Sequence, residues 1–102
     1  MTDDSKTTRR RLAPETERAF LAFSEQVFAP GALDATVKQI IAVAVAHVTQ
    51  CQHCIKSHTA AALREGATPE ELMEAIWVAA EMRAGAAYAH STIAMQAART
   101  EE

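Results

Sequence analysis

The chain has 102 residues, a formal net charge of -3 and 49% hydrophobic residues, which suffices for one domain and excludes an enzyme with a separate cofactor-binding fold. Three glycines and three prolines are too few for the turns of a β-sandwich or barrel, while alanine, the strongest helix former, exceeds a fifth of the residues; the composition predicts an all-α protein. The mildly acidic balance argues against a nucleic-acid partner, which needs a concentrated basic face.

Residues 1–13 are polar, carry the basic cluster Arg9, Arg10 and Arg11, and read as a disordered arm preceding one domain over residues 14–102. Met1 to Pro14 has no apolar stretch to act as a signal sequence. The longest apolar run, Ile40 to Ala46, falls short of the roughly 20 residues that span a bilayer, so no membrane association and a cytoplasmic location are expected.

Phe20, Phe23, Val27 and Phe28 recur at helical spacing, which predicts a helix from about Pro14 to Phe28, ended by Pro30 and Gly31. Asp34 is placed to cap a helix running to about Thr49, with Val37, Ile40, Ile41, Ala44, Val45 and Val48 on its apolar face. A third helix starts near Cys51 or Gln52 and stops before Gly66. Thr68-Pro69-Glu70-Glu71 reads as a capping box with proline at the first helical position. The helix that follows is apolar on nearly every side from Leu72 to Ala84, and Gly85 either kinks it or splits it in two. With aromatic residues at only 5%, such a helix is expected to pack on its own domain and on a second subunit, and an oligomer is expected.

Cys51-Gln52-His53-Cys54-Ile55-Lys56-Ser57-His58 holds both cysteines and two of the four histidines. On a helix, Cys51, Cys54 and His58 share a face, with Cys54 and His58 as i,i+4 neighbours. The helix N-terminus, the imidazole and the second thiol all favour the nucleophilic thiolate. A peroxide can oxidise one thiol to a sulfenic acid, the second thiol condenses with it, and an external dithiol restores the pair, the chemistry of a two-cysteine peroxidase. Two other readings stay open: buried cysteines beside a core histidine, or a zinc site in which His47, His53 or His90 completes the set. The expectation carried forward is a thiol site without metal or cofactor.

Val37 to Leu63, VKQIIAVAVAHVTQCQHCIKSHTAAAL, resembles the core of the carboxymuconolactone decarboxylase and alkylhydroperoxidase AhpD-like superfamily, whose signature is an apolar helix followed by C-x-x-C-x-x-x-H. EGATPEELMEAIWVAAEMRAGAAYAHS resembles its short single-domain branch. The resemblance implies an all-α subunit of about five helices that assembles into homotrimers or homohexamers, with the hexamer favoured. It further implies a peroxidase that reduces hydroperoxides and is itself reduced by a dithiol, such as a lipoyl group or a thioredoxin-like protein. By the same resemblance Cys51 and Cys54 are the redox pair, His53 the histidine between them and His58 the proton-relay histidine. The relay glutamate of AhpD-type members falls at Gln39, an amide that orients a neighbour but accepts no proton.

Glu81, in the apolar stretch Val78 to Met82, is a candidate replacement if desolvation makes it a usable base; alternatively it pairs with Arg83, Arg64 or another subunit's arginine. His90, near Tyr88 and Ser91, is a hydrogen-bond partner to the site or an interface residue. The lyase half of the family name is the rival activity, disfavoured because those decarboxylases do not depend on a cysteine pair. A non-catalytic thiol sensor is the third reading. Between the thiols, Cys54 is expected to be activated by His58, with Cys51 as its partner.

Overall fold

The computed structural model describes residues 4–100. They form five helices and no strand among the described residues: α1 (Ser5–Leu12), α2 (Pro14–Phe28), α3 (Ala35–Thr49), α4 (Gln52–Arg64) and α5 (Pro69–Thr100). The all-α expectation holds. The chain divides into two compact units, Met1–Asp34 and Ala35–Glu102.

In the first unit, the segment expected as a disordered arm forms α1, apart from Met1 to Asp3, which lie outside the described residues. Arg9, Arg10 and Arg11 occupy the last turn of that helix, where cations offset the negative end of the helix dipole. Pro14 opens α2 in the position where its missing N–H costs nothing. Glu17, in the first turn of α2, lies 3.9 Å from Arg9 and 3.7 Å from Arg10. Phe20 and Phe23 face each other with ring centroids 6.4 Å apart.

The second unit is built on α3, which packs against both α4 and α5. Its buried side chains are mostly small: Val43, Ala46, Ala62, Ala67, Leu72 and Ala79, with Ile40 and Ile76 packed alongside. Alanine at the contact lets α3 and α4 approach closely. Thr36 at the start of α3 donates its hydroxyl to the Glu65 carbonyl at the end of α4 (2.7 Å), so the two helices run antiparallel and are tied at the end remote from their connecting turn.

Both ends of α4 are specified by short-range chemistry. At its C-terminus Gly66 takes φ +103°, the Ala67 N–H donates to the Ala62 carbonyl (2.9 Å) and the Gly66 N–H to the Leu63 carbonyl (3.1 Å), the paired bonds of a Schellman motif. The capping box follows as expected: the Glu71 N–H donates to Thr68 Oγ1 (3.1 Å) and the Thr68 N–H to Glu71 Oε1 (2.8 Å). α5 then runs uninterrupted through Gly85, so glycine there neither splits nor ends the helix. Among the described residues no helix is long and apolar enough to cross a membrane.

Candidate active site

The site forms where α3 turns into α4. Gln50 sits in the left-handed region at φ 59°, and the Cys51 N–H reaches back to the Ala46 carbonyl (3.1 Å), a bond of the Schellman type that reverses the chain in two residues. Cys51 therefore closes α3 and is also the N-cap of α4. In that position its Sγ accepts the Cys54 N–H (3.2 Å). A sulfur in this place faces an otherwise unpaired N–H and the positive end of the helix dipole, both of which stabilise negative charge on it once the thiol is free.

Cys51 and Cys54 are joined in a disulfide, with Cα atoms 5.2 Å apart. Both are half-buried, as is His58, whereas His53 and Gln52 are exposed. His58 follows Cys54 by one helical turn, which places their β-carbons about 5–6 Å apart on one face. The imidazole is held from the neighbouring helix: His58 Nδ1 lies 2.7 Å from the amide oxygen Oε1 of Gln39, across a part-buried contact between α3 and α4. The structure thus gathers Cys51, Cys54, His58 and Gln39 into one group with ends on two helices.

The remaining candidates lie elsewhere. Glu81 is exposed on the single chain. Its carboxylate lies along its own helix over Gly85, where an added Cβ would meet Oε1 at 3.4 Å. Arg83, proposed as its ion-pair partner, instead donates to the Val48 carbonyl in the last turn of α3 (3.2 Å). His90 is exposed in the C-terminal half of α5. His47 is turned onto its own helix, with Nδ1 2.7 Å from the Val43 carbonyl, and the left-handed Gln50 breaks its helical register with Cys51. Among the described residues no cluster of three or more His, Cys, Asp or Glu side chains is arranged to hold a metal ion.

Two contributors carry no signal in the sequence. Gln50 adopts the left-handed conformation without being glycine or asparagine, so nothing in its residue type announces the turn that sets Cys51 at the head of α4. Arg83 supports the same turn from 35 residues away by satisfying a carbonyl that the helix end leaves unpaired.

A family model described as "Carboxymuconolactone decarboxylase family" matches residues 14–98. The chain belongs to the carboxymuconolactone decarboxylase family. It is 65% identical over 85 residues to "Uncharacterized protein 4 in cox locus" of Paracoccus denitrificans, an alignment that covers 83% of this chain and 77% of that protein. Its fold is similar to that of a carboxymuconolactone decarboxylase family protein of Legionella pneumophila, solved in the apo form, with TM-score 0.72, 33% identity and coverage of 76% of this chain and 70% of that one. A solved protein of Methanobacterium thermoautotrophicum is similar at TM-score 0.77 and 36% identity, covering 81% of this chain and 93% of that one. The family match takes in the whole group at the α3–α4 turn, together with Glu81 and His90.

Proposed function

We propose that the protein is a thiol-dependent peroxidase, a disulfide oxidoreductase that reduces hydroperoxides with the Cys51–Cys54 pair. The observation that carries this reading is the disulfide at the N-terminus of α4 with a histidine one turn along that is anchored from another helix. A structural staple needs no base beside it, and a disulfide linking residues only three apart closes too short a loop to add much to stability.

In the catalytic sequence His58 takes the proton of Cys54, and the thiolate attacks the hydroperoxide. The O–O bond breaks, the sulfur is oxidised to a sulfenic acid and an alkoxide departs as the alcohol. Cys51 then attacks Cys54, the S–S bond forms and water leaves. The N–H contact at Cys51 Sγ favours its thiolate and so suits it to this resolving step. An external dithiol, of the lipoyl or thioredoxin-like kind, reduces the disulfide by exchange and is itself oxidised. Such a cycle requires a reducing compartment, consistent with a cytoplasmic protein. The working form is a homo-oligomer, because the single chain leaves Phe20, Phe23, Trp77, Met82 and Ile93 exposed; the family resemblance implies a trimer or hexamer, with the hexamer favoured.

Hydroperoxide consumption supported by dihydrolipoamide tests the proposal on wild type, Cys51→Ser, Cys54→Ser and His58→Ala. Both serine variants are expected to lose turnover and His58→Ala to fall about a hundredfold, the usual contribution of a positioned base. Equal rates in all four proteins contradict the reading. Decarboxylation of a lactone acid that survives both serine substitutions assigns the lyase activity instead.

A further inference from the structure

We infer that Arg83 is a positioning residue for the redox turn: from α5 its guanidinium caps the C-terminus of α3 and, by offsetting the negative end of that helix, stabilises the thiolate of Cys51 in the reduced protein. The inference rests on the peroxidase reading only for its effect on turnover. The effect on Cys51 itself follows from the geometry of the turn.

Two helix ends of opposite sign meet at Cys51. As the N-cap of α4 it lies at a positive end, which favours a thiolate, whereas the end of α3 at Thr49 is negative and opposes one. Only Gln50 and Cys51 separate the two helices, so an uncapped α3 would cancel part of what α4 supplies. The Cys51 N–H takes up the Ala46 carbonyl, but the last carbonyls of a helix number more than this turn can satisfy. Arg83 Nη1 donates to one of them, the Val48 carbonyl, at 3.2 Å.

That bond sets a full positive charge against the end of α3, three residues before Cys51. One helical turn is only about 5 Å long, so the charge lies on the order of 10 Å from the Cys51 sulfur. At that separation near a surface, one charge shifts the ionisation of another by roughly half a pH unit, and salt weakens the effect. Arginine stays charged at every pH at which a thiol titrates. Its bond goes to the backbone of α3 and not to either sulfur, so the contact persists when the disulfide opens.

The other ionisable groups near the turn are His47 on α3, His53, Lys56 and His58 on α4, and Glu81 on α5. His47 is turned to the Val43 carbonyl, His58 meets Gln39, and His53, Lys56 and Glu81 are exposed. The remaining charges of these helices lie more than two turns farther along.

The test is the pH profile of Cys51 alkylation by iodoacetamide in reduced Cys54→Ser protein, where Cys51 is the one thiol left. It is recorded with Arg83 intact and with Arg83→Lys and Arg83→Gln, at low salt and in 1 M salt. Arg83→Gln keeps an N–H donor without the charge and is expected to raise the midpoint by roughly half a pH unit at low salt. Arg83→Lys keeps the charge and should move it by less than half as much, and 1 M salt should narrow the gap between arginine and glutamine. A merely structural contact leaves all three midpoints together. Coincident midpoints at low salt, or a lysine shift as large as that of glutamine, overturn the inference; if Arg83→Gln does not fold, Arg83→Met takes its place with the same expected shift. In the two-cysteine protein at pH 7, Arg83→Gln should slow the attack of Cys51 on the Cys54 sulfenic acid by about twofold to threefold. The expected midpoints in a protein that consumes no hydroperoxide leave Arg83 as the residue that governs Cys51 ionisation and overturn the peroxidase reading alone.

Discussion

The two cysteines are adjacent in the fold yet chemically unlike. Cys51 is an N-cap whose sulfur takes a backbone N–H, while Cys54 lies within the first turn of α4 and precedes His58 by four residues. The spacing of C-x-x-C-x-x-x-H made the pair and its histidine readable from the sequence. It did not reveal that the N-terminal donor goes to Cys51 alone, because that depends on which residue is the cap. The pairing of His58 with Gln39 was equally hidden, since residues 19 apart meet only when α3 and α4 pack. In the proposed cycle, the first oxidation falls on Cys54, the thiol one turn before His58. Trapping with a sulfenic-acid reagent after one equivalent of hydroperoxide should label Cys54 in Cys51→Ser and leave Cys51 unlabelled in Cys54→Ser. Label on Cys51 in Cys54→Ser, with none on Cys54 in the other variant, reverses the assignment.

At the scale of elements, the legible features were those with local chemistry. The Thr68 and Glu71 capping box and the glycine stop at Gly66 were both evident because each signal lies within a few residues of the helix end it specifies. Gln50 was not evident. A non-glycine residue in the left-handed region costs about 1 kcal/mol, and here the cost is retained at the turn that places Cys51. Gln50→Gly is accordingly expected to raise unfolding stability by up to about 1 kcal/mol in urea titration. A loss of stability would mean that the Gln50 side chain contributes contacts that outweigh its backbone conformation. α1 escaped the sequence reading because its residues are polar and its support, the approach of Arg9 and Arg10 to Glu17, lies in the next helix.

Across the whole molecule, burial is sparse. Four of the six buried apolar residues are alanines, and Trp77 and Tyr88 on α5 remain 65% and 82% exposed. α5 has 32 residues, a length of about 48 Å, and from Ala86 onward its described side chains are all exposed. The apolar character of this helix was plain from composition; which of its residues meet the parent domain was not, and Glu81 fell on the open side. The exposed apolar residues on α5 are accounted for if further copies of the chain cover them. Light scattering on a sizing column should therefore give three or six times the 11.0 kDa chain mass, and the double variant Trp77→Glu with Met82→Glu should elute smaller. A stable monomer for wild type contradicts this part of the account.

The central claim, that the Cys51–Cys54 pair is oxidised by a hydroperoxide in a single stoichiometric step, is tested most directly in one turnover. The reduced protein is mixed anaerobically with one equivalent of an organic hydroperoxide, and thiols, intact mass and alcohol are quantified. The account predicts loss of both thiols, a mass lower by two hydrogens and one alcohol per chain, all abolished in Cys54→Ser. Persistence of both thiols with the hydroperoxide unconsumed would contradict it.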